Sequence, residues 1–313
     1  MRLLIQIPCF NEEKTLSLVL RDIPKKIKGI SKIDICVIDD GSTDKTVEVA
    51  KKLGVDHILI HKKNKGLGNA FKTGLAFAVE NNYDILVNTD ADNQYPSRYI
   101  TDLVKPVVEG NADMVVGDRQ TSKVAHFSPL KKFFQSFGSG VVRRLTHTDV
   151  RDAVSGFRAY SNDAMISMNI TTKFSYVLDT IMQLSQKNMK IISVPISVIA
   201  PTRKSRLFKN MFQHMYKSGV NVLRLYVVYQ PFKFFFMLSI IFLIPGIILA
   251  LRFLYYFFTV GGAGHLQSLI AMAVLVLASV LFFVLGILGE LLKTNRMIME
   301  EMYTDLKRLK NKR

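Results

Sequence analysis

The sequence contains no tryptophan, little cysteine and comparatively few acidic residues. Its two cysteines, Cys9 and Cys36, both lie inside apolar runs, so a disulfide framework is not expected and a reducing compartment is. The 313 residues include 25 Asp and Glu against 42 Lys and Arg, which gives a net charge of +17. An excess of this sign indicates either a nucleic-acid partner or an anionic membrane surface.

Two long apolar runs favour the membrane. Residues 234–251 are interrupted only by Ser239, Pro245 and Gly246, and residues 266–288 carry no charge. Each run is long enough to cross a hydrocarbon core of about 30 Å at about 1.5 Å per residue. Because soluble helices of this length are rarely apolar on every side, we predict two membrane-spanning helices within residues 232–290. No helix-turn-helix, zinc or RNA-binding pattern accompanies the charge, so we expect no nucleic-acid partner.

The distribution of charge predicts the orientation of these spans. No Asp or Glu occurs between Asp179 and Glu290, so the basic excess gathers in residues 201–231, and it returns in the tail, residues 291–313. The first run continues past Arg252 to Val260, and the connector that follows it, residues 261–265, contains neither Lys nor Arg. The positive-inside rule therefore places residues 1–200 and both termini in the cytoplasm, at the cell membrane or, in a eukaryote, at the endoplasmic reticulum membrane. Paired spans often associate, which leaves a homo-oligomer open.

Residues 1–200 alternate between strand-like and helix-like patterns. Short apolar runs occur at residues 3–7, 33–38, 57–60, 85–88 and 114–116. Helical spacing occurs between them, at residues 12–27, 43–53, 67–81 and 97–109. This alternation predicts an α/β domain with a mostly parallel sheet and helices on both faces. Ligands of such sheets bind outside the carboxyl ends of the strands, so the residues that follow each run are the candidates for a site.

A polar cluster follows each of the predicted strands. The clusters are residues 8–12, 39–44, 64–68, 90–96 and 117–119. Taken singly, Asp-Gly-Ser is a common turn composition, and Lys-Gly-Leu-Gly matches neither the Walker nor the Rossmann pattern. Taken together at one edge of a sheet, with a carboxylate pair in two of the clusters, they indicate a divalent cation bound to a diphosphate.

Six motifs follow one another along the chain, namely Ile-Pro-Cys-Phe-Asn-Glu (7–12), Val-Ile-Asp-Asp-Gly-Ser-Thr-Asp (37–44), Lys-Gly-Leu-Gly (65–68), Asp-Ala-Asp-Asn-Gln-Tyr-Pro (90–96), Gly-Asp-Arg (117–119) and Val-Ser-Gly-Phe-Arg-Ala-Tyr (154–160). Because they occur in the order seen in family 2 glycosyltransferases of the GT-A fold, the sequence resembles that family. The branch it resembles contains dolichol-phosphate mannose synthase and bacterial polyprenyl-phosphate hexose transferases. The resemblance covers residues 3 to about 230. It implies transfer of a hexose from a GDP- or UDP-sugar to a polyprenyl phosphate.

The resemblance also implies roles for individual residues. The nucleotide-sugar pocket would be lined by Pro8, Asn11, Glu12, Asp39, Asp40, Lys65, Gly66 and Asp90. Mg²⁺ or Mn²⁺ would be held by Asp92 and Gln94, with Asp90 in or beside the metal shell. The catalytic residues would be Asp90, Asp92 and Arg119. The acceptor phosphate would contact Arg119, Lys132, Ser136, Arg203 and Arg206.

Two basic segments are expected to meet the lipid. Residues 123–145 mix basic and apolar side chains as in an amphipathic helix that lies in the headgroup plane. Lys132 in this segment replaces the arginine that is more usual in the family, and it would bind a phosphate as a point charge. In the second segment, Arg203 and Arg206 are as consistent with binding anionic lipid as with binding the acceptor phosphate.

Other functions are weighed against this one. A transferase that acts on a glycolipid or glycan hydroxyl would need a general base, and Asp152 is the main candidate, although a salt bridge with Arg158 is the more common role for such a residue. A non-catalytic membrane adaptor is disfavoured by the intact Asp-x-Asp-x-Gln motif. A processive polysaccharide synthase would carry a Gln-x-x-Arg-Trp motif, which a chain without tryptophan excludes.

Overall fold

The computed structural model describes residues 1–120, 138–144, 146, 148–170, 176–199, 219–220, 223–224, 226–261 and 266–311. The chain divides into two units. The first contains Met1–Tyr216 together with Met302–Arg313, and the second contains Lys217–Glu301. The C-terminal residues therefore belong to the same unit as the N-terminal domain.

The first unit is built on a seven-stranded sheet. In chain order the strands are β1 (Arg2–Cys9), β2 (Lys32–Asp39), β3 (His57–Ile60), β4 (Ile85–Asn88), β5 (Met114–Asp118), β6 (Arg158–Ser161) and β7 (Ile191–Pro195). Their order across the sheet is β3-β2-β1-β4-β6-β5-β7, and every neighbouring pair is parallel except the two that β6 makes with β4 and β5. The predicted mostly parallel sheet is confirmed, and β6 and β7 add to the strands that the sequence predicts.

Helices connect the strands, and two much longer ones follow the sheet. Those of the first unit are α1 (Leu16–Arg21), α2 (Thr46–Lys52), α3 (Leu67–Glu80), α4 (Ile100–Val108), α5 (Asn162–Ser167) and α6 (Tyr176–Gln186). The long helices are α7 (Pro231–Val260) and α8 (Leu266–Asn311). A 3₁₀ turn, Ser97–Tyr99, leads into α4, and residues 138–144 are also helical.

The strand β1 lies inside the sheet and is covered on both faces. Leu3 and Ile5 point into a core that also contains side chains of α1 and α4. Gln6 points to the opposite face, where it meets Gly74 of α3. A Cβ built on Gly74 would collide with Gln6 Oε1, so α3 can approach the sheet this closely only because position 74 is a glycine. Coverage on both faces explains why β1 is a nearly continuous apolar run instead of an alternating one.

The end of α8 completes the first unit. Thr304 is buried, and its hydroxyl accepts a hydrogen bond from Lys187 Nζ at 3.1 Å. Lys307 Nζ donates to the carbonyl oxygens of Met168 at 2.8 Å and Ile166 at 3.3 Å, where α5 ends. The last carbonyls of a helix lack hydrogen-bond donors within the helix, and Lys187 and Lys307 donate to the carbonyls at the end of α5.

In the second unit, α7 and α8 are long and apolar enough to span a membrane. Their most apolar windows have mean hydropathies of 2.8 and 2.9, yet only 11% of each window is buried. Apolar surface on this scale is stable in a lipid environment and not in water. The structure thus contains the two C-terminal apolar helices that the sequence predicts.

The two long helices pack closely through small residues. A Cβ built on Gly246 of α7 would lie 3.2 Å from Val276 of α8. A Cβ on Gly289 of α8 would lie 2.7 Å from Pro231 at the start of α7. Small residues at helix contacts let the backbones approach each other, which is how apolar helices associate where water is absent.

This packing predicts a specific cross-link between the two helices. Ser239 Oγ and Ser279 Oγ lie 3.0 Å apart in a buried contact. We expect S239C/S279C to form a disulfide in nearly every molecule on mild oxidation. Side chains that meet this closely have a Cβ–Cβ distance close to that of a disulfide, which is about 3.8 Å. Free thiols counted with a maleimide in denaturant measure the yield. The control pair S239C/V274C, with Val274 61% exposed, should remain reduced, and equal yields in the two pairs would contradict the packing.

Candidate active site

Hydrogen bonds connect the loop that follows β1 to the loop that follows β2. Asn11 has a left-handed backbone, with φ of 57°, which asparagine tolerates better than most residues. Its Oδ1 accepts a hydrogen bond from the Thr43 N–H at 2.8 Å, and its own N–H donates to Ser42 Oγ at 2.8 Å. The Glu12 N–H donates to Thr46 Oγ1, also at 2.8 Å. These reciprocal bonds hold the first two polar clusters side by side, as the sheet topology predicts.

Asp39 is a buried carboxylate that is only half satisfied. It is 1% exposed, and its Oδ2 accepts a hydrogen bond from the Ser42 N–H at 3.1 Å. Its Oδ1 has no hydrogen-bond partner among the described residues. Leaving a buried acceptor without a donor is costly, so this oxygen is suited to accept a hydrogen bond from a ligand.

Asp40, in contrast, is engaged through both oxygens. Its Oδ1 lies 2.7 Å from His61 Nδ1 and accepts from the Lys65 N–H at 2.9 Å. Its Oδ2 accepts from the Gly66 N–H at 2.8 Å. Gly66 has φ of 90°, a conformation that glycine adopts without strain. Asp40 therefore fixes the loop that leads into α3, and it places Lys65 and Gly66 beside the other predicted nucleotide-binding residues.

The candidate metal ligands follow β4. Asp90 is partly buried, and its burial together with the charge of Asp92 raises its pKa to about 7, with Arg119 acting in the opposite direction. Gln94 Nε2 donates to Asp92 Oδ2 at 2.5 Å. Two carboxylates that repel each other, next to an amide oxygen, form a set of hard oxygen ligands that suits Mg²⁺ or Mn²⁺.

These ligands do not complete a coordination shell by themselves. Nowhere in the part of the chain that the structure describes do three His, Cys, Asp or Glu side chains come together. A cation bound by Asp90 and Asp92 would therefore take its remaining oxygens from Gln94, from water or from a substrate. Magnesium is commonly held in this way, by one or two carboxylates and the phosphates of a substrate.

A glycine lies directly beneath Asp90. A Cβ built on Gly156 would lie 3.3 Å from both oxygens of the Asp90 carboxylate and from the Tyr176 hydroxyl. The buried Asn88 Nδ2 donates to the Gly156 carbonyl at 2.8 Å and to the Tyr176 hydroxyl at 3.0 Å. Asn88 Oδ1 in turn accepts from Gln6 Nε2 at 2.8 Å. These hydrogen bonds hold the Gly156 backbone in place next to the Asp90 carboxylate.

Arg119 and Asp152 form an ion pair with two hydrogen bonds. Arg119 Nε donates to Asp152 Oδ2 at 2.6 Å, and Nη2 donates to Oδ1 at 2.9 Å. Asp152 is 2% exposed. Burial alone would lower the pKa of Arg119, but the nearby Tyr95 hydroxyl and the bond to Asp152 raise it above its ordinary value. The guanidinium is therefore a permanent cation at this edge of the sheet.

The prediction that Asp152 pairs with Arg158 is wrong, although its expected role in a salt bridge is confirmed. Arg158 is fully buried, and Nη1 donates to Thr180 Oγ1 at 2.8 Å. Its other hydrogen bonds, at 2.5 to 2.9 Å, go to the carbonyl oxygens of Val177, Ser155 and Ala153. Because backbone carbonyl oxygens already accept hydrogen bonds from the Arg158 guanidinium, Arg158 does not require a carboxylate partner. Asp152 pairs with Arg119 instead.

Some predicted residues are placed by the structure and others are not. Pro8 lies in β1, opposite Ile38 of β2. Four residues predicted to bind the acceptor phosphate lie outside the described residues, namely Lys132, Ser136, Arg203 and Arg206, and their roles remain predictions. The sequence analysis did not predict Asn88 and Tyr176 as residues of the site. Asn88 could have been found, because a polar residue at the end of an otherwise apolar strand needs a buried hydrogen-bond partner.

Comparison with known proteins identifies the family. The model for glycosyl transferase family 2 matches residues 4–167, more than half of the chain. An undecaprenyl-phosphate mannosyltransferase of Micrococcus luteus is 27% identical over 209 residues, which cover 64% of this chain and 84% of that protein. A UDP-N-acetylglucosamine–dolichyl-phosphate N-acetylglucosaminyltransferase of Methanococcus voltae is 29% identical over 214 residues, covering 62% and 84%.

The fold has counterparts among solved structures. Glucosyl-3-phosphoglycerate synthase from Mycobacterium tuberculosis, in complex with Mn²⁺, UDP and glucosyl-3-phosphoglycerate, matches with a TM-score of 0.52 at 20% identity. The match covers 72% of this chain and 78% of that one. Sheet order, strand-end clusters, family model and structural match agree: the chain belongs to glycosyl transferase family 2 and is a glycosyltransferase of GT-A fold.

Proposed function

We propose that this glycosyltransferase moves a hexose from a GDP- or UDP-sugar to the phosphate of a polyprenyl lipid, with Mg²⁺ or Mn²⁺, at the cytoplasmic face of a membrane. The observation that carries the proposal is the position of two carboxylates, Asp90 and Asp92, just after β4 and of the Arg119 guanidinium just after β5, a strand that runs in the same direction in the sheet. A carboxylate pair suits a cation on a diphosphate, and a partly buried guanidinium suits an anionic acceptor.

The donor side follows from the strand ends. Asp92 and Gln94, with Asp90, would hold the cation, which when bound supplies Lewis-acid stabilisation of the departing nucleoside diphosphate. The unpartnered Oδ1 of Asp39 would accept a hydrogen bond from the base or ribose. The M. tuberculosis enzyme of similar fold was crystallised with Mn²⁺ and UDP, which supports a metal-bound nucleotide here as well.

The acceptor side follows from charge and from the apolar helices. A lipid phosphate is already anionic, so it needs a cation to orient it and no base to deprotonate it. Arg119 would supply that cation, and α7 and α8 would keep the enzyme at the membrane that contains the lipid. The relatives named for undecaprenyl phosphate and dolichyl phosphate support an acceptor of this class. Direct attack by the phosphate oxygen on the anomeric carbon inverts its configuration.

A hydroxyl acceptor is the second candidate, and it requires a general base. Asp152 is the candidate for that role in the sequence. In the structure Asp152 is only 2% exposed and both of its oxygens accept hydrogen bonds from Arg119, so its carboxylate is engaged in a buried ion pair. This observation favours the phosphate acceptor.

An assay of the purified full chain tests the proposal. The donors are a panel of GDP- and UDP-hexoses, and the acceptor is a short polyprenyl phosphate with Mn²⁺. We expect one donor to yield a polyprenyl-phosphate hexose whose anomeric configuration is inverted by NMR, and chelation by EDTA to stop its formation. The polyprenyl alcohol of the same length is the matched control. Transfer to the alcohol and not to the phosphate would establish the second candidate, and a retained configuration would exclude direct displacement.

The glycine beneath Asp90 gives a prediction for the same assay. In Gly156→Ala, the added methyl would sit 3.3 Å from both Asp90 oxygens, which is tighter than ordinary contact, so the carboxylate has to move by a few tenths of an ångström. We expect Mn²⁺ affinity to fall by about tenfold, a change typical for a disturbed support of a metal ligand. Titration of the Mn²⁺ EPR signal measures it. Gly110→Asn is the control, because a Cβ there meets nothing within 4 Å and asparagine tolerates its φ of +68°. Equal affinity in the two variants would show that Asp90 is not constrained by Gly156.

A further inference from the structure

We infer that Asp152 is a positioning residue that holds the Arg119 guanidinium in one orientation, so that its remaining N–H groups stay available to the acceptor phosphate. The inference rests on the proposed function, because it takes an anionic acceptor as given. It assigns Asp152 a role that acts entirely through Arg119, in place of a role as a general base.

The hydrogen bonds between Arg119 and Asp152 fix the orientation of the guanidinium. Nε and Nη2 of Arg119 are both committed to Asp152, at 2.6 and 2.9 Å, and the Arg119 N–H also reaches Oδ2 at 3.3 Å. Three donors from one residue fix the plane of the guanidinium. Nη1 makes no hydrogen bond to any residue in the described part of the chain, and it carries two N–H groups. A phosphate oxygen is the natural acceptor for such a group.

Asp152 itself is held rigidly. The next residue, Ala153, is fixed through both of its backbone groups: its N–H donates to Ser139 Oγ at 3.3 Å, and its carbonyl accepts from Arg158 Nη2 at 2.9 Å. The Asp152 carbonyl accepts from the Ser155 N–H at 3.3 Å. A carboxylate on so constrained a loop can orient a neighbouring side chain, because it has little freedom to follow that side chain if it moves.

Loss of Asp152 would leave the guanidinium free to turn. The Arg119 side chain is only 14% exposed, and Asp152 is the carboxylate with which it forms an ion pair in the described part of the chain. A guanidinium in such a place is costly to leave without its partner, so we expect Arg119 to adopt other orientations when Asp152 is removed. Fewer of these orientations present Nη1 to the acceptor phosphate.

A double-mutant cycle separates this role from that of a base. We expect Asp152→Asn to raise the KM for polyprenyl phosphate by about tenfold, within the range seen when a supporting residue is lost. In an Arg119→Met background the same substitution should change kcat/KM by less than about twofold, since the residue through which it acts is gone. A general base would instead lower kcat in both backgrounds by about 10² to 10⁴-fold, and the two substitutions would multiply. That result would overturn the inference.

A second readout does not depend on sugar transfer. Binding of a short polyprenyl phosphate to the full-length variants, measured by isothermal titration calorimetry without donor, should weaken about tenfold in D152N and should not weaken further when D152N is added to R119M. Unchanged affinity in D152N would overturn the inference. Asp152→Glu keeps the charge and should restore affinity, and melting temperatures confirm that each variant is folded. If the wild-type enzyme does not bind polyprenyl phosphate, the proposed function fails; if it binds the lipid and D152N binds equally well, only the inference fails.

Discussion

Replacement of Asp92 by alanine should abolish sugar transfer, with a loss of at least about 10³-fold in kcat. A bound cation contributes several kcal/mol to the stabilisation of a leaving diphosphate, and each factor of ten in rate corresponds to about 1.4 kcal/mol. Asp92 is one of two carboxylates in the candidate metal site, and Gln94, the third ligand, is hydrogen-bonded to it. The initial rate of transfer of a radiolabelled hexose into the lipid phase, at saturating Mn²⁺, measures the effect.

The melting temperature of Asp92→Ala distinguishes loss of the metal site from loss of the fold. Asp92 raises the pKa of Asp90, so the two carboxylates repel each other when no cation is present. Asp92→Ala removes that repulsion, and we expect the metal-free variant to melt no lower than the metal-free wild type. Asp102→Asn, at an exposed position in the first turn of α4, is the control and should keep full activity. Full activity in Asp92→Ala would rule out catalysis that depends on a metal ion at this site.

The variant Arg158→Met should lower the melting temperature of the protein by at least about 4 °C. Arg158 is fully buried, and methionine would leave the backbone carbonyls of Ser155 and Ala153 without their donor, whereas the Val177 carbonyl would still accept from Thr180 Oγ1. Each buried acceptor left unsatisfied costs about 1–3 kcal/mol, so the loss is at least about 2 kcal/mol. For a unit of this size each kcal/mol shifts the midpoint by about 2–4 °C.

A neighbouring arginine provides the matched control for this loss. Arg151 is 67% exposed and pairs only with the exposed Asp149, at 3.8 Å, among the described residues. Surface pairs of this kind contribute little, so Arg151→Met should shift the midpoint by no more than about 2 °C. Thermal unfolding followed by circular dichroism compares the two variants. If Arg158→Met melted together with Arg151→Met, the buried hydrogen bonds of Arg158 could not be what holds its loop against α6.

The strands that the sequence predicts are those in which burial and composition agree. β1 and β4 are covered by helices and contain mainly apolar residues, so their runs stand out. β6 escapes detection because it begins with Arg158, and a pattern based on hydrophobicity assigns an arginine to the surface although this one is buried. The first helix is predicted over residues 12–27, whereas α1 covers only Leu16–Arg21. Residues before it form a turn, in which Thr15 Oγ1 donates to Glu12 Oε2 at 2.7 Å.

The site could be predicted in its composition but only partly in its contacts. The strand-end rule brings together Asp39, Asp40 and Asp90 without any knowledge of side-chain geometry, because parallel strands end at the same edge. The partner of Arg119 could not be read in this way. Asp152 lies 33 residues beyond Arg119 in the chain, and Arg158 is an equally plausible partner of Asp152 by charge. Only the structure shows that Arg158 is saturated by carbonyl oxygens.

The packing of the end of α8 links folding to the order of synthesis. Met302–Arg313 belongs to the first unit, yet it follows both apolar helices in the chain. The ribosome releases all seven strands first, then α7 and most of α8, and only then the segment with Thr304 and Lys307. Until that segment arrives, the carbonyls of Ile166 and Met168 lack the lysine that they bind in the finished protein. The unit that contains the sheet is therefore completed by residues that are synthesised after α7 and after the apolar part of α8.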